Sequence, residues 1–202
     1  MITIVNYGMG NLGSMISMFR HIGVPSVVES DPAKIRLATK LVLPGVGAFD
    51  AAMSCLNSQS YLRSVLEHKV CVDRVPLLGV CLGMQILTRS SEEGCLPGLG
   101  WIAASTIRIP PSAGVRVPHM GWNIAQQTSP SPLLKNVGSN PRFYFVHSYA
   151  VKVDDPKNSI MRSHHGFDFD SAIARDNIFG VQFHPEKSHR FGLQILKNFA
   201  DL

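Results

Sequence analysis

The pentapeptide Gly79-Val80-Cys81-Leu82-Gly83, which follows the apolar residues 75–78, constrains this chain more than any other segment. We expect residues 75–80 to form a buried strand that turns sharply into a helix beginning at Leu82 and running to residue 87. The two glycines flank the cysteine as they flank the serine of a nucleophile elbow, which exposes its nucleophile. The N–H groups at the start of such a helix favour a thiolate and can hold an oxyanion. Cys81 is therefore a candidate nucleophile, and a buried structural cysteine is the alternative.

A nucleophilic cysteine needs a base, and the segment Phe183-His184-Pro185-Glu186 near the end of the chain supplies one. It continues the apolar residues 178–183, which we expect to form a strand. Residues two apart in an extended segment point the same way, so the side chains of His184 and Glu186 can face one site. We therefore predict a catalytic triad in which Cys81 attacks, His184 transfers protons and Glu186 orients the histidine.

Length and composition predict a single domain over residues 1–202, without a membrane span or a secretory signal. Hydrophobic residues make up 45% of the chain and charged residues 16%, which suits a large core, and no linker-like segment divides the sequence. No apolar run approaches the roughly 20 residues of a membrane span, and the first residues lack the basic-then-apolar pattern of a signal. The four cysteines have neither metal-site spacing nor disulfide density. We expect a cytoplasmic protein that uses no metal and no other cofactor.

The net charge of +5 raises the question of a nucleic-acid partner, and the distribution of the charge argues against one. Lys and Arg residues are dispersed singly and do not form the clustered basic face that follows a phosphate backbone. We expect the excess charge to serve a solvated surface or an acidic partner protein.

The order of strand-like and helix-like patterns in the first half predicts an α/β fold with a doubly wound, mostly parallel sheet. The expected strands are residues 2–5, 26–29, 41–43 and 75–80. The expected helices are residues 12–21, a short helix that opens at Asp31-Pro32, residues 48–66 and the elbow helix. After Trp101 we expect mostly antiparallel strands that extend the sheet, over residues 102–109, 143–146, 171–175 and 178–183, and a last helix over residues 190–199.

The first turn of the chain supports a competing interpretation. Gly8-Met9-Gly10-Asn11-Leu12-Gly13 matches G-x-G-x-x-G between a strand and a helix, and Glu29 follows at about the spacing of a ribose-binding acid. A dinucleotide-binding redox protein is therefore the alternative class. Against it, the pattern is short, the chain has little room for a separate substrate domain, and the predicted triad would have no role.

Several motifs, taken in order, resemble the triad-type (class I) glutamine amidotransferases, and within them the glutaminase subunits of imidazole glycerol phosphate synthases. Besides the elbow and the His-Pro-Glu segment, the matching motifs are Tyr7-Gly8-Met9-Gly10-Asn11-Leu12, Leu43-Pro44-Gly45-Val46-Gly47-Ala48-Phe49, Val117-Pro118-His119-Met120-Gly121-Trp122-Asn123 and Phe145-Val146-His147-Ser148-Tyr149. The run His184-Pro185-Glu186-Lys187-Ser188 is also typical of that subunit. The resemblance covers nearly the whole chain, and it implies the same α/β fold.

The resemblance implies an enzyme that hydrolyses L-glutamine to glutamate and ammonia through a cysteine thioester. It also implies a heterodimer with a (β/α)8-barrel cyclase, which receives the ammonia along a protected path and makes imidazole glycerol phosphate for histidine biosynthesis. Two segments, Ser163-His164-His165-Gly166-Phe167-Asp168-Phe169 and Ser188-His189-Arg190-Phe191-Gly192, are closer to paralogues in surface-polysaccharide gene sets. The alternative is therefore a glutaminase that supplies ammonia to a sugar amidotransferase.

The resemblance assigns two backbone N–H groups to an oxyanion hole, one at Leu82 and one in the loop Pro44-Gly45-Val46-Gly47. The two glycines of that loop allow the peptide geometry that aims an N–H of Val46 or Gly47 inward. The residues that hold glutamine in this family correspond to Gly45, Gln85, His147, Ser148 and Tyr149. Gln85 lies one helical turn beyond Cys81 on the expected helix, and a solvated helix position is the alternative for it.

The resemblance implies partner contacts as well. Tyr144 and Lys187 match positions at that interface, and we expect Met120, Trp122 and Asn123 of the Met-Gly-Trp-Asn segment to contact the partner as well. The lysine can pair with a carboxylate of the partner, and exposed Met and Trp side chains favour interfaces. Burial in the core is the alternative for Trp122. We expect His119 and His147 to be structural or hydrogen-bonding residues.

Overall fold

The computed structural model describes residues 1–111 and 115–202, and a sheet of ten strands runs through it. The strands are β1 (Ile2–Val5), β2 (Ser26–Glu29), β3 (Leu41–Gly45), β4 (Leu77–Cys81), β5 (Ala104–Arg108), β6 (His119–Ile124), β7 (Gln126–Gln127), β8 (Arg142–His147), β9 (Tyr149–Val153), β10 (Ser159–His164), β11 (Asp168–Arg175) and β12 (Ile178–Val181). The helices are α1 (Leu12–His21), α2 (Pro32–Ile35), α3 (Phe49–Ser58), α4 (Ser60–Glu67), α5 (Leu82–Gln85) and α6 (His189–Asp201). Shorter helical turns lie at His68–Val72, Pro132–Leu134, Pro156–Asn158 and Pro185–Lys187.

The strand order confirms the predicted fold class. The main sheet runs β2-β1-β3-β4-β12-β11-β10-β7, while β9 pairs with β11 and with β5. The first five strands of that order are parallel to one another, and the remaining pairs are antiparallel. β6 and β8 form a separate antiparallel pair. A parallel centre with an antiparallel extension is the arrangement that the sequence predicts.

Side chains alternate between two hydrophobic cores along the parallel strands. On β3, Leu41 and Leu43 pack into the core that contains α3 and α4, whereas Val42 packs into the core that contains α1 and α6. Both faces of the parallel sheet are therefore covered by helices. In a sheet of this kind, ligands usually bind at the carboxyl ends of the strands.

The predicted helix over residues 48–66 is in fact two helices, because the chain breaks at Gln59. This residue has a non-helical backbone, with φ −107° and ψ 59°. Its side-chain amide donates to the carbonyl oxygens of Cys55 and Tyr7 and so replaces the backbone donor that a continuous helix would supply. The side chain thus ties the break to the turn that follows the first strand of the sheet.

The elbow helix α5 is one turn long and ends at Gln85 rather than at residue 87. The carbonyl oxygen of Ile86, the next residue, accepts from the N–H of Leu99 in the segment that follows. A helix of this length has only a small dipole, so the electrostatic help expected from it is reduced to its first N–H groups.

Four strands, β6, β7, β9 and β10, were not predicted from the sequence, and β6 shows why. Its inward positions are His119, Gly121 and Asn123, while the large apolar residues Met120 and Trp122 point outward. This is the reverse of the usual alternation, in which the apolar residues face the core. The pattern therefore does not resemble a half-buried strand.

The first turn does not have the geometry of a dinucleotide site. The carboxylate of Glu29 accepts from the N–H groups of Ser30 and Asp31 at 2.9 Å each and pairs with Lys34 at 3.4 Å, so it serves the start of α2. A Cβ on Gly10 would lie 3.0 Å from Pro44, so this glycine is needed for contact between the turn and the end of β3. None of the helices described is both long and apolar enough to span a membrane.

Candidate active site

Cys81 lies at the junction of β4 and α5 with φ 55° and ψ −113°, a backbone conformation that residues other than glycine rarely adopt. Strain of this kind persists only where the surrounding structure fixes it, and nucleophile elbows are built in this way. The residue is only 8% exposed, so the prediction of an openly exposed elbow is wrong. Its side chain is reached through a pocket instead.

The glycines that flank the cysteine are required by close contacts between backbones. A Cβ on Gly83 would lie 1.8 Å from the carbonyl oxygen of Leu43, and a Cβ on Gly79 would lie 2.6 Å from that of Gly83. Gly45 is equally confined, since its Cβ would lie 2.7 Å from the backbone nitrogen of Gly83. Only glycine fits at these three positions, which together press the elbow against the end of β3.

His184 and Glu186 contact each other through a tight turn. β12 ends at Val181, and His184 opens the turn Pro185–Lys187, so that its Nδ1–H donates to Oε1 of Glu186 at 2.8 Å. Both side chains are buried. The predicted pair is therefore formed, but the predicted geometry, two residues on one side of a strand, is wrong.

The second ring nitrogen of His184, Nε2, is buried and has no hydrogen-bond partner among the described residues. It is the atom left to exchange a proton with Cys81. Burial by itself would lower the pKa of His184, but interactions with the Cys81 sulfur and the Glu186 carboxylate outweigh it and raise that pKa to about 9. The imidazole is therefore cationic at neutral pH, which is the state that must accompany a thiolate.

These groups line a pocket of about 320 Å³ at the carboxyl ends of β3, β4 and β12. Its walls are formed by Val46, Gly47, Cys81, Leu82, Gln85, Glu93, Pro118, Val146, His147, Ser148, Tyr149, His184 and Lys187. The structure thus brings together the predicted nucleophile, base, oxyanion groups and most of the predicted glutamine-binding residues. Gly45 is buried in β3, and Glu186 lies behind His184.

The loop after β3 brings a second backbone segment to the pocket beside Leu82. Val46 is 45% exposed, and Gly47 has φ +107°, in the region that favours glycine. A side chain at Gly47 would also approach the terminal methyl of Met9 to 3.1 Å. Both predicted sources of oxyanion N–H groups therefore border the same pocket as Cys81.

Gln85 is 4% exposed, so the alternative of a solvated helix position is wrong. Its Nε2 donates to the carbonyl oxygen of Tyr149 at 3.0 Å and to Oε1 of Gln182 at 3.0 Å. The carbonyl oxygen of Ser148 accepts from the N–H of Ile109 at 3.0 Å. The Tyr149 carbonyl accepts from His147 as well, so both of its lone pairs are used and Tyr149 must use other groups for any contact with a ligand.

A chain of hydrogen bonds leads from the pocket to β6. His147 Nδ1 lies 2.8 Å from the carbonyl oxygen of Tyr149, His147 Nε2 lies 2.9 Å from His119 Nδ1, and His119 Nε2 lies 3.2 Å from Asn123 Nδ2. A carbonyl oxygen can only accept, so the proton of His147 is on Nδ1. Its Nε2 then accepts from His119, whose proton is also on Nδ1. The prediction that both histidines serve as hydrogen-bonding residues is confirmed.

The network requires both histidines to be neutral, and their surroundings make them so. Burial lowers the pKa of His147 to about 3. Burial, and next the nearby His165 ring, which stacks on His119 at 4.0 Å, lower the pKa of His119 to about 4. Asn123 donates its second amide hydrogen to the carbonyl oxygen of His164 at 2.8 Å. Both amide hydrogens of this predicted partner contact are therefore used within the chain.

Glu93 belongs to the pocket wall, although no sequence pattern indicated it. Its Oε2 accepts from the N–H of Phe49, the first residue of α3, at 2.9 Å. Ala48 at the cap position has no side-chain hydrogen bond to offer, so Glu93 caps this helix from outside it. A carboxylate in this wall complements the ammonium group of an amino acid.

Exposed apolar side chains cover the outer face of the β6–β8 pair. Met120 is 62% exposed and Trp122 is 40% exposed, so the alternative of a core position for Trp122 is wrong. Tyr144 lies opposite Trp122 in the strand pair. Lys187 borders the pocket, and its Nζ lies 5.7 Å from the centre of the Tyr144 ring. This lysine therefore connects the apolar face with the pocket.

No group of three or more His, Cys, Asp or Glu residues within the described ranges could hold a metal ion. The four cysteines are free thiols, and Cys71 and Cys95 are exposed.

The model of the family "Glutamine amidotransferase class-I" matches residues 3–202 of this chain. Imidazole glycerol phosphate synthase subunit HisH 2 of Methanococcus maripaludis is 49% identical and covers 98% of both chains. The subunit HisH 2 of Pseudomonas aeruginosa is 46% identical, and the subunit HisH of Bdellovibrio bacteriovorus is 45% identical, each over the whole of both chains.

Solved structures extend the similarity of fold. PurLQS from Thermotoga maritima matches 99% of this chain and 97% of its own with a TM-score of 0.73 and 16% identity. A glutamine amidotransferase from the same organism matches 99% of this chain and 82% of its own with a TM-score of 0.63 and 18% identity. At these identities the structures bear on the fold alone.

The histidine network leads to a prediction about protonation. We expect His119 and His147 to remain neutral and in the Nδ1–H tautomer from pH 8 down to about pH 5, and His184 to remain cationic up to about pH 9. Two-dimensional 15N NMR of the imidazole rings distinguishes the tautomers, with the exposed His21 and His68 as internal controls. Nε2–H tautomers at both network histidines, or a neutral His184 at pH 7, would contradict this assignment.

The same pKa values fix how stability depends on pH. Because folding lowers the pKa values of His119 and His147 below about 6.5, the unfolded chain binds protons first on acidification. The contribution of these histidines to the free energy of unfolding should therefore decrease as the pH falls below about 6.5. Urea unfolding at pH 7 and pH 5 measures it.

Proposed function

Because this chain belongs to the class-I glutamine amidotransferase family, we propose that it hydrolyses L-glutamine with Cys81, His184 and Glu186 as its catalytic triad. The chain is the glutaminase subunit of an imidazole glycerol phosphate synthase, as its full-length relatives at 45–49% identity are named. The observation that carries the proposal is the strained Cys81 facing the same pocket as a buried His184–Glu186 pair.

In the proposed mechanism, Cys81 Sγ attacks the side-chain carbonyl carbon of glutamine. The thiol proton is already on His184 before the attack, because Glu186 and the thiolate stabilise the cationic imidazole. His184 then gives this proton to the amide nitrogen as the carbon–nitrogen bond breaks. Ammonia leaves, a glutamyl thioester remains on Cys81, and water attacks the thioester with His184 as the base. Glutamate is released, and the thiolate beside the cationic His184 is restored.

The negative oxygen that forms in each attack needs hydrogen-bond donors. We assign this role to the backbone N–H of Leu82 and one N–H of the loop at Val46 or Gly47, which border the pocket on two sides of Cys81. Gly83 and Gly45 support the assignment, because their lack of side chains brings these two backbone segments together. The left-handed φ of Gly47 gives the loop the freedom to present its N–H.

The amino-acid end of glutamine is held in the opposite part of the pocket. We assign the ammonium group to Glu93 and to the carbonyl oxygen of the Gln85 side chain, whose nitrogen is already used by Tyr149 and Gln182. His147, Ser148 and Tyr149 complete this wall. The carboxylate of glutamine is attracted by Lys187, the only Lys or Arg among the described residues that line the pocket.

The subunit name of the relatives implies a partner subunit, and we propose that it is a (β/α)8-barrel cyclase. The outer face of β6–β8 supports this proposal, because Met120 and Trp122 expose large apolar surfaces next to the pocket mouth. Lys187 and Tyr144 join that face to the pocket, so a partner seated there would cover the site and receive ammonia away from water. Asn123 contributes indirectly, by holding His119.

We also propose that residues 1–202 form one domain, because a single sheet contains strands from both halves of the chain. A cytoplasmic location suits the exposed free thiols of Cys71 and Cys95, which an oxidising compartment would endanger.

Substitutions of the triad should affect turnover in a fixed order. We expect Cys81→Ala to abolish glutamine hydrolysis, and His184→Ala to lower kcat by about 10³- to 10⁴-fold because the proton carrier is lost. Glu186→Gln should lower kcat less, by about 10- to 100-fold, because it only orients the histidine. Steady-state glutamate release measures all three, with Cys71→Ala and Cys95→Ala as matched controls that keep full activity. Undiminished turnover by Cys81→Ala would refute the triad.

The pathway is tested by complementation of a histidine auxotroph that lacks only this subunit. We expect growth without histidine, dependent on Cys81, because the relatives at 45–49% identity are subunits of the histidine-pathway synthase. Trp122→Ala should weaken growth by weakening the partner contact, since buried Trp anchors often contribute about 2 kcal/mol or more to an interface. Leu37→Ala, which truncates an exposed apolar residue just after α2, is the control.

A different result would select the other ammonia acceptor. Soluble expression without growth, together with loss of an amidated surface sugar when the gene is deleted in its source, would contradict the histidine assignment. That pair of results would favour the surface-polysaccharide paralogue, for which the glutaminase chemistry is the same.

A further inference from the structure

Gln182 contacts the nucleophile, although neither the triad nor the glutamine contacts include it. The residue follows β12 and precedes His184 by two positions, and it is fully buried. Its Nε2 lies 3.8 Å from Sγ of Cys81, within the range of an N–H···S hydrogen bond. Its backbone N–H donates to the carbonyl oxygen of Ser171 at 2.9 Å, which anchors it to β11.

The orientation of the Gln182 amide is fixed by the backbone carbonyl of Tyr149, to which it is connected through two hydrogen bonds of Gln85. The carbonyl oxygen of Tyr149 can only accept, so the Gln85 atom 3.0 Å from it must be the nitrogen. The same nitrogen lies 3.0 Å from Gln182, which must therefore offer its oxygen. The Gln182 nitrogen is then the atom that faces Cys81.

We infer that Gln182 is a further catalytic residue, whose side-chain N–H donates to the Cys81 sulfur and stabilises the thiolate. A neutral thiol is a weak acceptor, whereas hydrogen bonds to an ionised acceptor are about twice as strong as neutral ones. The bond therefore favours the ionised sulfur over the thiol, and more so in a buried site, where water cannot compete. This inference rests on the proposed role of Cys81 as the nucleophile.

The same contacts keep the donor in place. Rotating the Gln182 amide by half a turn would set its oxygen against the thiolate and its NH₂ against the NH₂ of Gln85. Gln85 cannot rotate in compensation, because Tyr149 offers it only an acceptor. His147 donates to that carbonyl as well, at 2.8 Å, so the acceptor itself is held from two sides.

The test is the pH dependence of Cys81 alkylation in Gln182→Met, which keeps the size of the side chain and removes the donor. Iodoacetamide labelling followed by mass spectrometry gives the pH at which Cys81 reacts at half its maximal rate. We expect this pH to rise by about one to two units and kcat for glutamine to fall about 10- to 100-fold, as for loss of one hydrogen bond to a charged group. KM should stay within about twofold, because Gln182 does not line the pocket and the carbonyl oxygen of Tyr149 still accepts from Gln85 once the Gln182 oxygen is lost.

Two further variants complete the design. Gln194→Met makes the same change at a hydrogen-bonded glutamine of α6, away from the pocket, and should leave the alkylation profile unchanged. Gln182→Glu should raise the midpoint at least as far, because a carboxylate beside the sulfur disfavours a second negative charge. A folded Gln182→Met or Gln182→Glu protein with the alkylation profile of the unsubstituted chain would overturn the inference.

The unsubstituted protein provides a readout that depends on no variant. The side-chain NH₂ resonances of Gln182 should move with the same pH midpoint as the alkylation of Cys81, and shift again once Cys81 is alkylated. Chemical shifts of this NH₂ group that change neither with the pH midpoint of Cys81 nor on its alkylation would overturn the inference. Alkylation and NMR need no glutamine, so they distinguish a failure of this inference from a failure of the glutaminase assignment.

Discussion

The contact between the β4–α5 elbow and the end of β3 determines the rest of this site. Gly83 packs its backbone against the carbonyl of Leu43, and Gly45 packs against Gly83 in return. This close approach leaves Cys81 in a strained conformation and sets the loop at Val46 beside it. The cost of the strain is offset by the strands on either side, which belong to the buried parallel centre of the sheet.

Around this elbow, hydrogen bonds whose donors and acceptors are fixed hold the proposed catalytic groups. The carbonyl of Tyr149 receives one donor from Gln85 and one from His147, and each donor determines the orientation of the next group. One branch ends at the sulfur of Cys81 and the other at Asn123 on β6. The nucleophile is therefore linked to the strand pair that exposes the proposed partner surface, without any charged group between them.

The sequence was sufficient to predict the strand-to-helix turn at Cys81, the contact between His184 and Glu186 and the parallel strands, because each is encoded within a few neighbouring residues. How Glu186 contacts His184 was predicted wrongly, because the contact is made through the turn Pro185–Lys187 and not along a strand. The only sign of a role for Gln182 in the sequence is that it is a single amide residue in an apolar segment. Its role becomes visible only when the structure places Gln85 and Cys81 beside it. Glu93 had none, because its position comes from a long-range contact with Phe49.

Trapping the intermediate shows whether Cys81 carries the acyl group of glutamine. The full chain is mixed with glutamine, quenched in acid during turnover, digested and analysed by mass spectrometry. We expect a glutamyl adduct on the peptide that contains Cys81, removable by hydroxylamine, and none on the peptides of Cys55, Cys71 or Cys95. Turnover with an adduct on another residue, or with no hydroxylamine-sensitive adduct in an acid-quenched burst, would contradict it.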